Sequence, residues 1–176
     1  SAADLITAYD SGGITGLGDE AVNVNSGSAS ISQVNALAAD TSGVVTATIS
    51  DGDMATLAGL TETGNAYSIT ITDTSVDAAA LNTLDGKTSV AINASNITTL
   101  TGAAADLNTA YASSGISNLG NEAVTLSDTT LSAVALNTLD GNTSGTVNAS
   151  SINTLTGSAA DLNTAYASSG ISNLGN

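Results

Sequence analysis

The chain lacks most of the residue types that carry catalytic chemistry. Its 176 residues contain no His, Cys, Pro, Trp or Phe and one basic residue, Lys87, against 16 acidic residues, which gives a formal net charge of -15. General acid and base catalysis at neutral pH usually uses His or a tuned Lys, and metal and phosphate sites favour His, Cys and Arg. A hydrolytic triad has no histidine to complete it. We therefore expect that the chain is not an enzyme.

The charge also excludes two classes of partner. Nucleic acids require a basic surface, and anionic membranes attract one, whereas this chain is acidic throughout. No apolar run approaches the roughly 18 residues of a membrane helix, so we expect no membrane insertion. The absence of cysteine is compatible with secretion.

The residues that are present are mostly small. Hydrophobic residues make up 41% of the chain and the mean hydropathy is +0.22, although the only aromatic residues are four tyrosines. This hydrophobic content is well above that of disordered chains. The composition therefore predicts a folded protein that builds its core from small side chains.

Internal repeats dominate the sequence. The motif ALNTLD begins at Ala80 and again at Ala135, and AADLNTAYASSGISNLGN begins at Ala104 and again at Ala159. The distance along the chain between the two copies is the same for both motifs, which defines a repeat of about 55 residues at positions 80–121 and 135–176. A diverged copy of the second motif, SAADLITAYDSGGITGLGDE, opens the chain at Ser1 and aligns with the segment that starts at Ala103. The distance from this diverged copy to its match is not a multiple of the 55-residue repeat, so a smaller repeating unit underlies both.

That smaller unit is a short segment in which apolar and polar residues alternate, a pattern typical of a half-buried strand. The spacing between segments is about 23 residues, except for one interval of about 32 residues, and a leucine downstream of each segment keeps the same spacing. The six segments begin at Val22, Val45, Ile69, Ile92, Val124 and Val147. The predicted strands lie near positions 22–25, 44–49, 67–72, 91–94, 123–127 and 146–150.

Each strand is followed by a capping residue such as Asp73 or Asp128 and by Ala and Leu at helical spacing, which predicts a short helix. The chain then consists of strand-helix coils of about 23 or about 32 residues. The longer coils carry inserts with Tyr9, Tyr111 and Tyr166. We expect these tyrosines to fill the gap between each inserted loop and its coil, and the alternative is that they line a glycan-binding or lateral packing surface.

One coil cannot fold alone, because ordering its backbone and side chains costs roughly 35 kcal/mol and its few small apolar side chains return about 1.5 to 3 kcal/mol each. Stacking buries both sides of each coil. The fold class predicted is a repeat solenoid, a right-handed stack with one parallel β-sheet of six strands. We expect residues 1–176 to form one continuous solenoid segment, in which Val45, Ile69 and Ile92 lie on adjacent parallel strands.

The outward face of that sheet is the first candidate binding surface. Regular threonine columns resemble the faces of ice-binding solenoids, although Asn and Ser interrupt them here. A solvated polar sheet face is the alternative interpretation. The candidate residues are Thr46, Thr48, Thr70, Thr72, Asn93, Thr125 and Asn148.

Acidic residues form the second candidate site. Calcium prefers clustered oxygen ligands, and an acidic secreted chain would gain from a divalent counterion. Neither the EF-hand loop nor the GGxGxD repeat is present, so helix capping and solvated charge compete with calcium as explanations. The candidate ligands for a weakly bound calcium ion are Asp19, Glu20, Asp51, Asp53, Asp73 and Asp128. We expect no other cofactor.

The recurring ALNTLDGxTSGxVNASSINTLTGSAADLNTAYASSGISNLGNE unit resembles very long Ala/Ser/Thr/Asp-rich repeat proteins of bacterial cell surfaces, notably of cyanobacteria. The resemblance covers essentially the whole chain and implies a secreted adhesin, matrix fibre or surface-layer component. It implies an extracellular or cell-surface location and carries no site residues. Because neither end carries a polar capping coil, we also expect an excerpt of a longer array or a subunit that self-associates end to end.

The sequence thus predicts an extracellular structural repeat protein that forms or spaces a fibre, sheath or matrix by stacking its coils end to end. The alternative is an adhesin-type module that binds glycan, other cell-surface components or ice through its Thr/Asn/Ser face.

Overall fold

A computed structural model describes residues 1–175 of the chain. Its internal contacts divide the chain into two compact units. Unit 1 comprises residues 1–72 and 83–93, and unit 2 comprises residues 73–82 and 94–176.

Seven helices occur in the described residues, and all are short. Most begin at a side chain that accepts a backbone N–H of the first turn: Ser1 and Ser30 form capping boxes, and Asp53, Ser132 and Ser158 accept single bonds. The helices are α1 (Ala2–Tyr9), α2 (Ile31–Asp40), α3 (Met54–Leu57), α4 (Ala78–Asp85), α5 (Ala104–Ala112), α6 (Ala133–Asn142) and α7 (Ala159–Ala167).

The strands of unit 1 are short and run parallel. A three-stranded sheet has the order β1-β2-β3, and isolated bridges extend its pairing at Ala29 with Ile49 and at Thr70 with Asn93. The strands are β1 (Val22–Asn23), β2 (Val45–Thr48), β3 (Ala66–Ser68) and, outside this sheet, β5 (Ile92–Asn93).

Unit 2 contains a five-stranded parallel sheet in the order β4-β6-β8-β10-β12, and β9 pairs with β11 beside it. The partners along one row of the five-stranded sheet are Val76, Leu100, Val124, Val147 and Ile171, so each strand lies one short coil after its neighbour. The strands are β4 (Ser75–Asp77), β6 (Thr99–Gly102), β7 (Ile116–Ser117), β8 (Ala123–Leu126), β9 (Thr130–Ser132), β10 (Val147–Asn148), β11 (Thr154–Thr156) and β12 (Ile171–Ser172).

All six predicted strand positions contain a strand, but the prediction of one six-stranded sheet is wrong, because the sheet is split. The partner of Val124 is Leu100, whereas the prediction placed Ile92 beside it. Residues 99–102, where the sequence predicted no strand, form β6. The inserts also contribute strands, β7 and β12, where the sequence predicted folded loops.

The predicted register of Val45 with Ile69 is also wrong. In the β2–β3 pair Thr48 lies opposite Ser68, whereas the prediction required Thr72 at that place. The intervening helix α3 has only the residues Met54–Leu57, so less chain is needed to return to the sheet. Ile69 and Ile92 do lie side by side, because the next residues, Thr70 and Asn93, form a parallel bridge.

The core consists of small aliphatic residues, as the composition predicts. Ile, Leu, Val and Ala fill the inward positions of the strands and the inner faces of the helices, and Leu37, Leu81, Leu107 and Leu136 are fully buried. Tyr67, on β3, is the one fully buried aromatic side chain in the described residues. Buried and exposed positions alternate along β2 and β8, which matches the alternation in the sequence.

Candidate functional site

The residues of the predicted Thr/Asn face are exposed or partly exposed, and they belong to strand pairings in both units. Thr46, Thr48, Thr70, Thr72 and Thr125 are exposed, and Asn93 and Asn148 are partly exposed. The partners that the structure gives them belong to separate pairings: Thr46 lies opposite Ala66, Thr48 opposite Ser68, Thr70 opposite Asn93, and Thr125 opposite Asn148.

Unit 2 has the longest outward row. Thr125 and Asn148 share it with Asp77, Thr101 and Ser172. Asn148 accepts a bond from the Asn173 amide at 2.9 Å, and the Ser172 hydroxyl donates to the carbonyl of Val147 at 3.4 Å. Hydrogen bonds within this row occupy part of its polar capacity, as in a side-chain ladder.

Two of the six candidate calcium ligands join segments that are distant in sequence. Asp51 accepts the backbone N–H of Ile31 at 2.8 Å, and Asp128 accepts that of Ala104 at 2.7 Å. Each carboxylate therefore satisfies the first turn of a helix that begins one coil earlier in the chain. Sequence reasoning assigned Asp128 to the following helix, which Ser132 caps instead.

The other acidic candidates are spread along the chain. Asp53 caps α3, and the Thr56 N–H that it accepts lowers the pKa of its carboxyl. Glu20 accepts the N–H of Gly18 at 2.8 Å, which lowers its pKa. Asp19 is exposed, and Asp73 lies half-buried before β4. Residues 1–175 contain no group of three or more acidic residues arranged to hold a metal ion.

Sequence reasoning missed the residues that link one segment of the chain to the next. Threonines in the TS motifs donate to a backbone carbonyl of the preceding coil: Thr41 to Glu20 at 2.7 Å, Thr88 to Tyr67 at 2.8 Å and Thr143 to Glu122 at 2.7 Å. The same hydroxyl accepts the N–H two positions later in each case. The recurrence of TS after helices α2, α4 and α6 is the signal that identifies this bond.

Asparagines on the helices form a second set of links. The Asn82 amide donates to the carbonyl of Asp106 at 2.9 Å, and the Asn137 amide donates to that of Asp161 at 3.0 Å. Asn35 and Asn108 make comparable bonds to Gly59 and Ala135. Each of these asparagines, three of which stand in the repeated LNT motif, therefore joins a helix to the next segment of the same unit.

The inserts hold a repeated tyrosine-glutamate pair. Tyr9 donates to Glu20 at 3.1 Å, and Tyr111 donates to Glu122 at 3.2 Å. Glu122 is 1% exposed and also accepts the N–H groups of Gly120 and Asn121. Burial raises the pKa of Tyr111. The tyrosines of these two inserts are thus packed and bonded, as the gap-filling interpretation predicts.

Two identical segments of unit 2 differ in burial. Residues 104–121 and 159–176 have the same sequence. In the first copy Ala104 and Leu107 are fully buried and Tyr111 is partly buried. In the second copy Tyr166 is 61% exposed, and Ala159 and Leu162 are no longer buried.

The neighbouring strand shows the same contrast. Leu100 on β6 is fully buried and its strand pairs on both sides, with β4 and β8. The equivalent Leu155 on β11 is partly exposed, and within the described residues its strand pairs with β9 alone. The second copy of the repeat is therefore less buried than the first at the corresponding positions.

Comparison of the chain with protein-family models, with curated proteins and with solved structures gave no match in any of the three. Among the described residues no helix has both the length and the hydrophobicity needed to span a membrane.

Proposed function

We propose that the chain is an extracellular structural repeat protein whose coils stack as a solenoid and which forms or spaces a cell-surface fibre, sheath or matrix. The observation that carries the proposal is the parallel register of unit 2, where five strands pair in sequence order and each lies one short coil after its neighbour. Such stepping is the pattern expected when each coil lies on the one before it.

The bonds between segments support a mechanical role. Hydroxyls, amides and carboxylates of the TS, LNT and Asp positions are directed to backbone groups of a neighbouring coil. Side chains that would otherwise be available for ligands are therefore used to hold coils together. The net charge of -15 keeps the lateral surfaces soluble and opposes uncontrolled aggregation.

The resemblance to long repeat proteins of bacterial surfaces supports the proposed location. The alternative, binding of glycan or ice by the Thr/Asn face, has less support, because Thr46 and Thr70 are not partners in one row. A flat, regular surface of threonines is what such binding would need. We therefore place binding second to the structural role.

Electron microscopy of the purified full chain, negatively stained with and without calcium, tests the proposal. Elongated particles or filaments that lengthen with protein concentration are expected, and calcium is expected to promote their lateral bundling. Dispersed globular monomers under every condition would contradict a structural role. Antibody labelling of intact host cells tests the location, and a signal only after cell lysis would refute an extracellular protein.

A further inference from the structure

Glu122 is a buried carboxylate in a part of the chain that has no basic residue. Its side chain is 1% exposed. Unit 2 contains no Lys, Arg or His, and the one basic side chain of the sequence, Lys87, belongs to unit 1, where it donates to the backbone carbonyl of Thr61 at 2.9 Å. A buried charge is ordinarily paired with an opposite charge or bound to an ion, because removing it from water alone is costly. The side chains of unit 2 provide no cation for Glu122.

The hydrogen bonds to Glu122 reach only one of its two carboxylate oxygens. Its Oε2 accepts the Tyr111 hydroxyl at 3.2 Å, the N–H of Gly120 at 2.8 Å and the N–H of Asn121 at 3.1 Å. Its Oε1 is closed off from solvent and has no hydrogen-bond partner among the residues that the structure describes. A buried carboxylate oxygen left unsatisfied in this way points to a bound water molecule or ion.

The equivalent residue of unit 1 has the same local bonds but a different exposure. The Oε2 of Glu20 accepts the Tyr9 hydroxyl at 3.1 Å and the N–H of Gly18 at 2.8 Å. Glu20 is partly exposed, so bulk water reaches its carboxylate. The two copies therefore differ in access to solvent, and only Glu122 needs a ligand that is held within the fold.

The chemistry of the site favours a small monovalent cation. Protonation of Oε1 would create a buried O–H group without an acceptor, and a water molecule would leave the charge unbalanced. Calcium takes six to eight oxygen ligands, several of them from carboxylates, whereas residues 1–175 contain no group of three or more acidic residues arranged to hold a metal ion. One positive charge balances the single carboxylate. The Tyr111 oxygen lies beside the carboxylate and keeps its lone pairs, because it is the donor in its bond to Oε2.

We propose that unit 2 binds a small monovalent cation, such as sodium, at the Oε1 of Glu122. The ion neutralises the one buried carboxylate of the described residues. Glu122 holds three parts of unit 2 together, because its side chain binds Tyr111 of α5 and the Gly120–Asn121 loop, and its backbone carbonyl accepts the Thr143 hydroxyl. Binding of the cation therefore stabilises the closed insert and its contact with the next coil. The site does not depend on the structural function proposed above.

Thermal unfolding of the full chain in two salts tests the site. Sodium chloride and tetramethylammonium chloride screen the net charge of -15 equally at equal concentration, but tetramethylammonium is too large for a buried site. At about 0.5 M salt we expect the Tm to be at least about 3 °C higher in sodium chloride, because a ligand that binds only the folded state raises the Tm. Equal Tm values in the two salts would overturn the cation site and leave a water molecule as the occupant.

Two matched variants locate the effect. Glu122→Gln keeps the size of the side chain and an acceptor for Tyr111 but removes the charge, so we expect the difference between the two salts to disappear. Glu20→Gln removes the same charge from the partly exposed copy in unit 1 and should keep the difference. A sodium-specific gain that persists in Glu122→Gln, or that Glu20→Gln removes as well, would overturn Glu122 as the binding residue.

Sodium NMR of the wild-type chain gives a readout that requires no variant to fold. The folded chain should broaden the sodium resonance more than the urea-unfolded chain, which carries the same acidic residues. An equal concentration of tetramethylammonium should leave most of this broadening in place, because it displaces only ions that surface charge attracts loosely. Broadening that tetramethylammonium abolishes, or that the unfolded chain produces equally, would show diffuse counterions alone and would overturn the proposal.

Discussion

At the scale of single residues, the glycine of the TSG motif is required by the close approach of two backbones. A Cβ atom at Gly145 would overlap the backbone carbonyl oxygen of Glu122, and one at Gly43 would overlap that of Glu20. These are the same carbonyls that accept the bonds from Thr143 and Thr41. The motif therefore combines a donor with a residue small enough to let the donor reach its acceptor.

Gly145→Ala is expected to destabilise unit 2 by roughly 1 to 3 kcal/mol, because rigid backbone atoms must move to admit the methyl group. Urea unfolding followed by circular dichroism measures the change. Gly141→Ala is the matched control, since a Cβ there meets nothing within 4 Å and the residue lies in helix α6. The control should stabilise the chain by about 0.5 to 1 kcal/mol. Effects of the same sign at both glycines would contradict the close approach.

Tyr67 carries a buried hydroxyl that has no hydrogen-bond partner within the part of the chain that the structure describes. Burial raises the pKa of this phenol to about 12 from an ordinary value of 10.0. Its folded-state pKa is therefore above the unfolded one, so the neutral phenol contributes its full stability below about pH 10, and this contribution is lost as the pH rises toward 12. Tyr67→Phe removes both the orphan hydroxyl and the ionisation.

We expect Tyr67→Phe to raise stability by about 1 kcal/mol at pH 7, since an unsatisfied buried hydroxyl is costly. The advantage over the wild-type chain should grow between pH 10 and pH 12. Thermal unfolding at pH 7, 9 and 11 measures it, with the largely exposed Tyr166→Phe as the control that changes little at neutral pH. A loss of stability at pH 7 would show that the hydroxyl is bonded in solution.

At the scale of elements, strand positions were predictable where one face is buried. Val45 and Ala47 point inward while Thr46 and Thr48 point outward, and this alternation is visible in the sequence. The second strand of each coil was not predictable in the same way. Residues such as Thr130–Ser132 lie just before a helix, and their short apolar content also fits the helical spacing that continues through Leu136 and Leu139.

Helix α5 shows how one element depends on another that is distant in sequence. Its N-cap position is Ala103, which supplies no side-chain bond, whereas the identical α7 begins after Ser158. The Asp128 carboxylate takes the N–H of Ala104 instead. A local sequence rule for capping cannot find this bond, because its acceptor follows a whole coil later in the chain.

Asp128→Ala is expected to destabilise the chain by about 1 kcal/mol, the usual cost of a lost cap. The effect should appear as faster amide exchange in the first turn of α5, even though the substituted residue is not part of that helix. Asp128→Asn is the control, because it keeps an acceptor oxygen and should retain most of the stability. Faster amide exchange in the first turn of α6 rather than of α5 would show that Asp128 caps the helix that follows it in sequence.

At the scale of the whole molecule, composition and repeats predicted parallel strands and short helices, but they did not predict that the strands divide among several sheets. The number of residues between repeat copies can be read directly from the sequence, but it does not determine which strands pair with each other. The regular steps along the sheet of unit 2 follow only once the unpredicted strands β4, β6 and β12 are counted. The candidate site was harder to predict, because Asp51 and Asp128 resemble metal ligands in sequence and serve as caps in the fold.

The two identical helices of unit 2 give a test in which sequence is held constant. Helices α5 and α7 both read AADLNTAYA, so the chemistry of amide exchange is nearly the same in the two and differences in rate report their surroundings. Helix α6 packs against both helices, but Leu107 on α5 is fully buried, whereas the equivalent Leu162 on α7 is partly exposed. Local opening of α7 therefore exposes less apolar surface and costs less free energy.

We expect amides of Leu107 through Tyr111 to exchange at least about tenfold more slowly than those of Leu162 through Tyr166 in dilute monomer, as measured by NMR-detected hydrogen exchange. Equal exchange rates in the two identical helices would contradict the difference in burial between them.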